Sequence, residues 1–189
     1  MDKKENILNV AIELFLENGI EKTSVRSIAD KAGIAPGTFY LYFPSKLAVM
    51  PVIAERLVEN IYNSVVTNLN DNYDLNDLID VLINSIFENT QKYKDLNLLI
   101  YSGFTQTKQI KNWEIIYEPI YKWLESCLEE LKEKKQISSS LNSFYLAKII
   151  IGTVESSAEQ FYLFDEDQEE KDIQTFKKTL NNFIYTALF

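Results

Sequence analysis

The sequence predicts an all-α protein: a small N-terminal three-helix unit followed by a larger helical body. Three observations point there. The 189 residues contain only five Gly and four Pro, so little interrupts long helices. Apolar residues recur at i, i+3, i+4 and i+7 in successive segments, the period of a helix with one buried face. Four of the breakers, Gly33, Pro36, Gly37 and Pro44, crowd into "KAGIAPGTFYLYFPSK" (31–46), which marks short helices joined by tight turns.

Taken in order, "ENILNVAIELFLEN" (5–18) places Ile7, Val10, Ala11, Leu14 and Phe15 on one stripe, and Gly19 supplies the stop. Thr23 or Ser24 caps the next helix, whose buried face is Val25, Ile28, Ala29 and Ala32 before Gly33 ends it. Pro36 suits the first turn of a third helix, where its missing N–H is not needed. Phe39 and Phe43, four apart, face one way, while Thr38 and Tyr42 share another side with Tyr40 near them. Pro44 closes this unit and Ser45 offers a cap for helix four. Longer helices are then expected over 45–70, 75–92, 94–104, 108–135, 141–164 and 168–188, with Pro119 kinking the fourth of these. The acidic run "DEDQEE" reads as a solvated loop feeding the last helix, where negative charge suits the first turn.

Composition narrows the function. The chain has no histidine, which removes Ser-His-Asp and Cys-His catalysis and the commonest zinc ligand. No Gly-rich phosphate loop is present either, so no catalytic residue, cofactor or metal is expected. One cysteine excludes an intrachain disulfide and fits a reducing cytoplasm. No apolar run is long enough to span a membrane, and the N-terminus does not read as a secretory signal. The net charge of −9 would argue against a nucleic-acid partner, but six basic and six acidic residues cancel within 1–50. All of the excess lies in 51–189. The head is neutral and the body acidic.

Three short helices with a tight Gly33 turn between the last two match a helix-turn-helix, whose second helix enters the DNA major groove. Gly37 lets the backbone approach a phosphate without a Cβ in the way. Phe39 and Phe43 anchor the helix, and Thr38, Tyr40 and Tyr42 offer hydroxyls outward. Alone, "GTFYLYF" fits a buried aromatic helix equally well; the flanking pattern favours DNA contact. Tyr42 packed against helix one and Lys46 as a solvated helix-start lysine stay open as alternatives.

At this point the residues resemble a known family. "ILNVAIELFLENGIEKTSVRSIADKAGIAPGTFYLYFPSKLAVM" closely resembles the N-terminal domain of the TetR (tetracycline repressor-like) family of bacterial transcriptional regulators. The matching pieces are the Ala11–Leu14–Phe15–Gly19 spacing, Thr23-Ser24-Val25 with Ile28-Ala29, Ala32-Gly33, Gly37-Thr38-Phe39-Tyr40, Tyr42-Phe43 and Ser45-Lys46. Ala35 stands where a capping Ser is frequent in the family, and Leu41 where a polar residue is frequent. Beyond residue 50 the resemblance rests on length and helical texture. It implies a homodimer on a palindromic double-stranded DNA operator, usually as a repressor, with a C-terminal domain that binds a small molecule. By position it implies that Thr23 and Lys46 touch phosphates and that Arg26, Pro36, Gly37, Thr38, Tyr40 and Tyr42 line the groove. Arg26 is one of only two arginines, and Arg commonly reads guanine edges.

The division expected is 1–46 for DNA binding and 47–189 for effector binding and dimerisation. In the body, Tyr93, Tyr101, Phe104, Trp113, Tyr117 and Tyr121 are either core or the lining of an apolar cavity. With Glu114, Glu118 or Glu155 as a counter-charge, that cavity would suit a small hydrophobic effector, neutral or cationic. Ile149, Gly152, Thr153 and Ser156 in one helix, and Phe176, Leu180, Phe183 and Ile184 in the last, suit either a dimer interface or intrachain packing. The competing reading is a DNA-binding regulator or architectural protein without a small-molecule effector.

Overall fold

The computed structural model describes residues 2–104, 113–164 and 172–188. The described residues are helical with no strand: α1 (Lys3–Asn18), α2 (Val25–Ala32), α3 (Pro36–Tyr42), α4 (Val49–Asn68), α5 (Leu75–Lys92), α6 (Lys94–Phe104), α7 (Trp113–Glu133), α8 (Ser143–Glu159) and α9 (Asp172–Leu188). A single 3-10 turn, Lys46–Ala48, precedes α4, and a π-helical turn, Gln160–Phe164, extends α8. Helices are found where the periodicity places them, with ends set by local chemistry.

The chain packs as two units, Met1–Arg56 with Asp95–Glu114, and Leu57–Lys94 with Ile115–Phe189. In the first, α2 packs on α1 and α3 on α2 around Ile7, Leu8, Ala11, Phe15, Ile28, Ala29, Phe39 and Phe43. Ser24 caps α2 by accepting from the Ser27 N–H (3.0 Å), and Ser27 answers by accepting from the Ser24 N–H (3.1 Å). Gly33 ends that helix at φ 69°, ψ 34°, a left-handed conformation that a side chain would strain. Ala35 provides no side-chain cap for α3, and Pro36 begins it. The division at residue 46 expected from the motif follows the three short helices, whereas packing adds the start of α4 and α6 from Asp95 onward. Sequence-distant α6 lies beside the end of α1, with Leu98 and Leu99 across an open hollow of about 500 Å³ from Phe15 and Leu16.

In the second unit α5 packs on both α8 and α9. Asp74 and Asp77 form a capping box at the start of α5, and Asn142 caps α8 by accepting from the Tyr145 N–H (3.0 Å). The π turn lets the consecutive residues Phe161 and Tyr162 both join one aromatic cluster, Tyr162 against Phe87 (6.0 Å) and Phe161 against Phe176 (5.6 Å). Helix α7 runs without a break through Pro119. No described helix is long and apolar enough to cross a membrane.

Candidate nucleic-acid interface

Helix α3 is held by one face and presents the other. Phe39 and Phe43 are fully buried and touch ring to ring at 5.6 Å, while Tyr40, Leu41 and Tyr42 stand out at 56, 82 and 37% exposure. Three consecutive large apolar or aromatic side chains facing solvent is the arrangement of a contact surface. Pro36 and Gly37 are exposed beside them, and Thr38 is half-buried. A Cβ at Gly37 would meet nothing within 4 Å, so the helix backbone is open to a partner there. Arg26 lies exposed on α2, with Asp30 one turn on at 3.9 Å. Both are solvated, and such a pair is worth little.

Two expected phosphate contacts take a different role in this structure. Thr23 is buried, and its hydroxyl points at the Leu14 and Gly19 carbonyls (3.0 and 2.9 Å), fastening the α1–α2 turn to the end of α1. The Lys46 ammonium donates to the Ile20, Glu21 and Thr23 carbonyls (2.5, 3.2 and 2.8 Å). An ammonium has three protons, and all three are engaged. Both arrangements have one cause: a turn leaves carbonyls without helix partners, and the nearest donors fill them. The identity of residue 46 alone carried no sign of this, because a lysine's reach is settled only by the turn it meets.

Other ties brace the same unit. Asn6 donates to the Ala32 carbonyl (2.9 Å), and Lys31 pairs with Glu13 (2.8 Å), a hydrogen bond that raises its pKa. Arg56 on α4 grips α1 at Glu5 (2.6 Å) and Asn9 (3.0 Å).

In the second unit the effector candidates divide. Tyr117 and Tyr121 stack at 5.5 Å, and the Tyr117 hydroxyl donates to the Glu155 carboxyl at 2.8 Å. Burial pushes the Glu155 carboxyl up to about 8; the Tyr117 hydrogen bond works against that, and nearby Glu159 adds to it. The Lys148 ammonium lies over the Tyr121 ring at 5.5 Å. Tyr93 belongs to the same unit and stands at the end of α5, with Lys92 over its ring. Tyr101 is 42% exposed and belongs to the first unit, and the side chains of Phe104 and Trp113 lie outside the described residues.

The partner-face candidates divide as well. Ile149 and Phe183 are each 63% exposed, and Gly152 and Ser156 continue the outer stripe of α8 with Thr153 half-buried. Leu180 and Ile184, however, are buried in their own subunit, and Phe176 packs on Phe87 and Phe161. All three make contacts within their own unit. The apolar stripe of α9 packs it onto α5 and α8.

Residues 7–51 match the family described as bacterial regulatory proteins, tetR family, and residues 79–188 match the tetracyclin repressor-like C-terminal domain. The sequence is similar to the HTH-type transcriptional regulator YvdT of Bacillus subtilis (strain 168), 37% identical over 187 residues, or 98% of this chain and 95% of that protein. The fold is similar to that of the fatty acid degradation regulator FadR from Bacillus halodurans, at TM-score 0.75 and 22% identity, over 100% of this chain and 97% of that one. It is similar too to FadR from Bacillus subtilis, solved in complex with stearoyl-CoA, at TM-score 0.76 and 19% identity over 98 and 99%. At those identities the two structures speak for the fold.

Proposed function

The chain belongs to the TetR family of bacterial transcriptional regulators, and from that premise we propose that it represses as a homodimer on a palindromic operator and is released by a small hydrophobic effector. It is a DNA-binding helix-turn-helix regulator, not an enzyme. The observation that carries the reading is the outer face of α3, where Tyr40, Leu41 and Tyr42 are exposed on a helix pinned from behind by Phe39 and Phe43. Tyr40, Tyr42, Thr38 and Arg26 read base edges and phosphates, and the bare backbone at Gly37 allows close approach. Thr23 and Lys46 act one step back, holding the turn that orients α2 against α1.

The partner subunit docks on the outer stripe of α8, Ile149, Gly152 and Ser156, together with Phe183 of α9. Ile149, 63% exposed one turn from Gly152, and Phe183, equally exposed on α9, support close helix approach there. The effector binds in the second unit near Tyr117, Tyr121 and Glu155. A protonated Glu155 suits a neutral hydrophobic ligand at neutral pH; a cationic one would pull its pKa down and release a proton. The acyl-CoA held by the fold's neighbour makes long-chain acyl-CoA a third class to test. Because α4 (Val49–Asn68) starts beside the Ser45-capped turn and belongs to both units, a ligand that prefers one position of α4 shifts the spacing of the two reading heads.

The test is selection of bound duplexes from a random pool with purified protein at a stated salt concentration. Recovery of a palindrome with two half-sites is the expected result. Enrichment of nothing over nonspecific binding, after ligand stripping by denaturation and refolding, would overturn the reading.

A further inference from the structure

Leu41 is the most exposed large apolar residue of the described chain, at 82%. A single exposed leucine is ordinary; its position is not. At about 100° per residue, Leu41 falls about 180° from the midpoint of the Phe39 and Phe43 anchors, so it marks the centre of the face that α3 turns outward. Gly37, one turn earlier, lies beside it on that face and leaves open space where a side chain would stand. The centre of the face is thus an isobutyl group next to bare helix backbone, flanked by the tyrosine hydroxyls of Tyr40 and Tyr42. Leucine has no donor or acceptor, so it forms no hydrogen bond with a phosphate or a base edge. In the major groove only one base edge offers an apolar group, the C5-methyl of thymine.

We propose that Leu41 is a specificity-determining residue that packs on a thymine methyl in each half-site, so that the operator carries a required thymine opposite the centre of α3. This rests on the reading of α3 as the DNA-contacting helix. The polar neighbours then fix the helix in register, and the leucine excludes water from the methyl. A methyl's burial is worth roughly a four-fold change in affinity per half-site. Two independent half-sites make that on the order of fifteen-fold.

The experiment replaces each thymine of the selected operator in turn, symmetrically in both half-sites, by deoxyuridine, which lacks only the methyl. Binding is measured by fluorescence anisotropy for the wild type, Leu41→Ala and Tyr40→Ala. The expected result is one thymine position where the wild type loses about fifteen-fold on deoxyuridine while Leu41→Ala binds both duplexes alike. A wild type indifferent to deoxyuridine at every position, while Tyr40→Ala has lost the site, overturns the Leu41 assignment and leaves the DNA-reading helix standing. No selected operator, or full affinity in Tyr40→Ala, overturns the reading of α3 itself and this proposal with it. Thermal unfolding of Leu41→Ala, expected to match the wild type for so exposed a side chain, keeps folding out of the comparison.

Discussion

Two sites, one in each unit, use polar chemistry in opposite ways. In the first, the side chains behind the reading helix are spent on backbone: Lys46 on three carbonyls, Thr23 on two, Asn6 on one. What that set leaves outside is a plain surface of hydroxyls, an isobutyl group and bare backbone. In the second, Glu155 is kept in surroundings that resist its charge, with one tyrosine hydroxyl donated to it. The first arrangement fixes a shape, and the second leaves a group whose state can change. A head that fits a groove gains from rigidity, and under the proposed function a body that responds to a ligand gains from a group poised to change state.

Removing the Lys46 staple is the largest expected disturbance. Lys46→Ala leaves the Ile20 and Thr23 carbonyls without their charged donor and lowers unfolding stability by about 2 kcal/mol. The salt dependence of operator binding keeps its slope, because the lysine touches backbone and not phosphate; a phosphate contact would flatten that slope by about one per half-site. Chemical denaturation and anisotropy at three salt concentrations read the two effects separately.

The second unit is sharpened by pH. The Glu155 carboxyl titrates near 8 in the fold, above its ordinary value of 4.5, so the folded state binds the extra proton. Its contribution is therefore fully present below about 4.5 and is lost as pH rises through about 8. Wild-type melting temperature should fall across that window relative to Glu155→Gln, whose profile is flatter. Parallel profiles would show that Glu155 ionises in the fold as it does in water.

Gly37 separates stability from reading within the head. Its backbone is not in the left-handed region and a Cβ meets nothing there, so Gly37→Ala should stabilise α3 by about 1 kcal/mol. Operator affinity should fall all the same, because the added methyl stands on the contact face. A variant that gained both would take Gly37 out of the interface. The smallest effect is Ala35→Ser, which adds the missing cap to α3 for about 1 kcal/mol or less, read by thermal unfolding.

The head was legible in the sequence because caps and breakers bound each of its helices: Ser24, Gly33, Pro36 and Ser45 sit where the structure uses them. The body was legible as helices and not as faces. The stripe through Phe176, Leu180 and Ile184 has the same period whether it meets a partner or its own subunit, and the structure turns it inward. The role of Lys46 needed the turn it reaches, 23 to 26 residues back in the chain. The packing of α6 with the first unit likewise depends on contacts far apart in sequence, which local periodicity does not encode. Leu41 was visible as a departure from a familiar pattern; its place at the centre of the outer face gives the departure a meaning.

The central claim is that the outward face of α3 reads DNA, and Tyr40→Ala tests it most directly. Wild type and variant are titrated against the selected palindrome by anisotropy at one fixed salt concentration, with thermal unfolding and light scattering alongside. The expected result is a loss of at least about ten-fold for the variant, with melting temperature and oligomeric state unchanged. Equal affinity for the palindrome in the two proteins would contradict it and place the reading surface elsewhere.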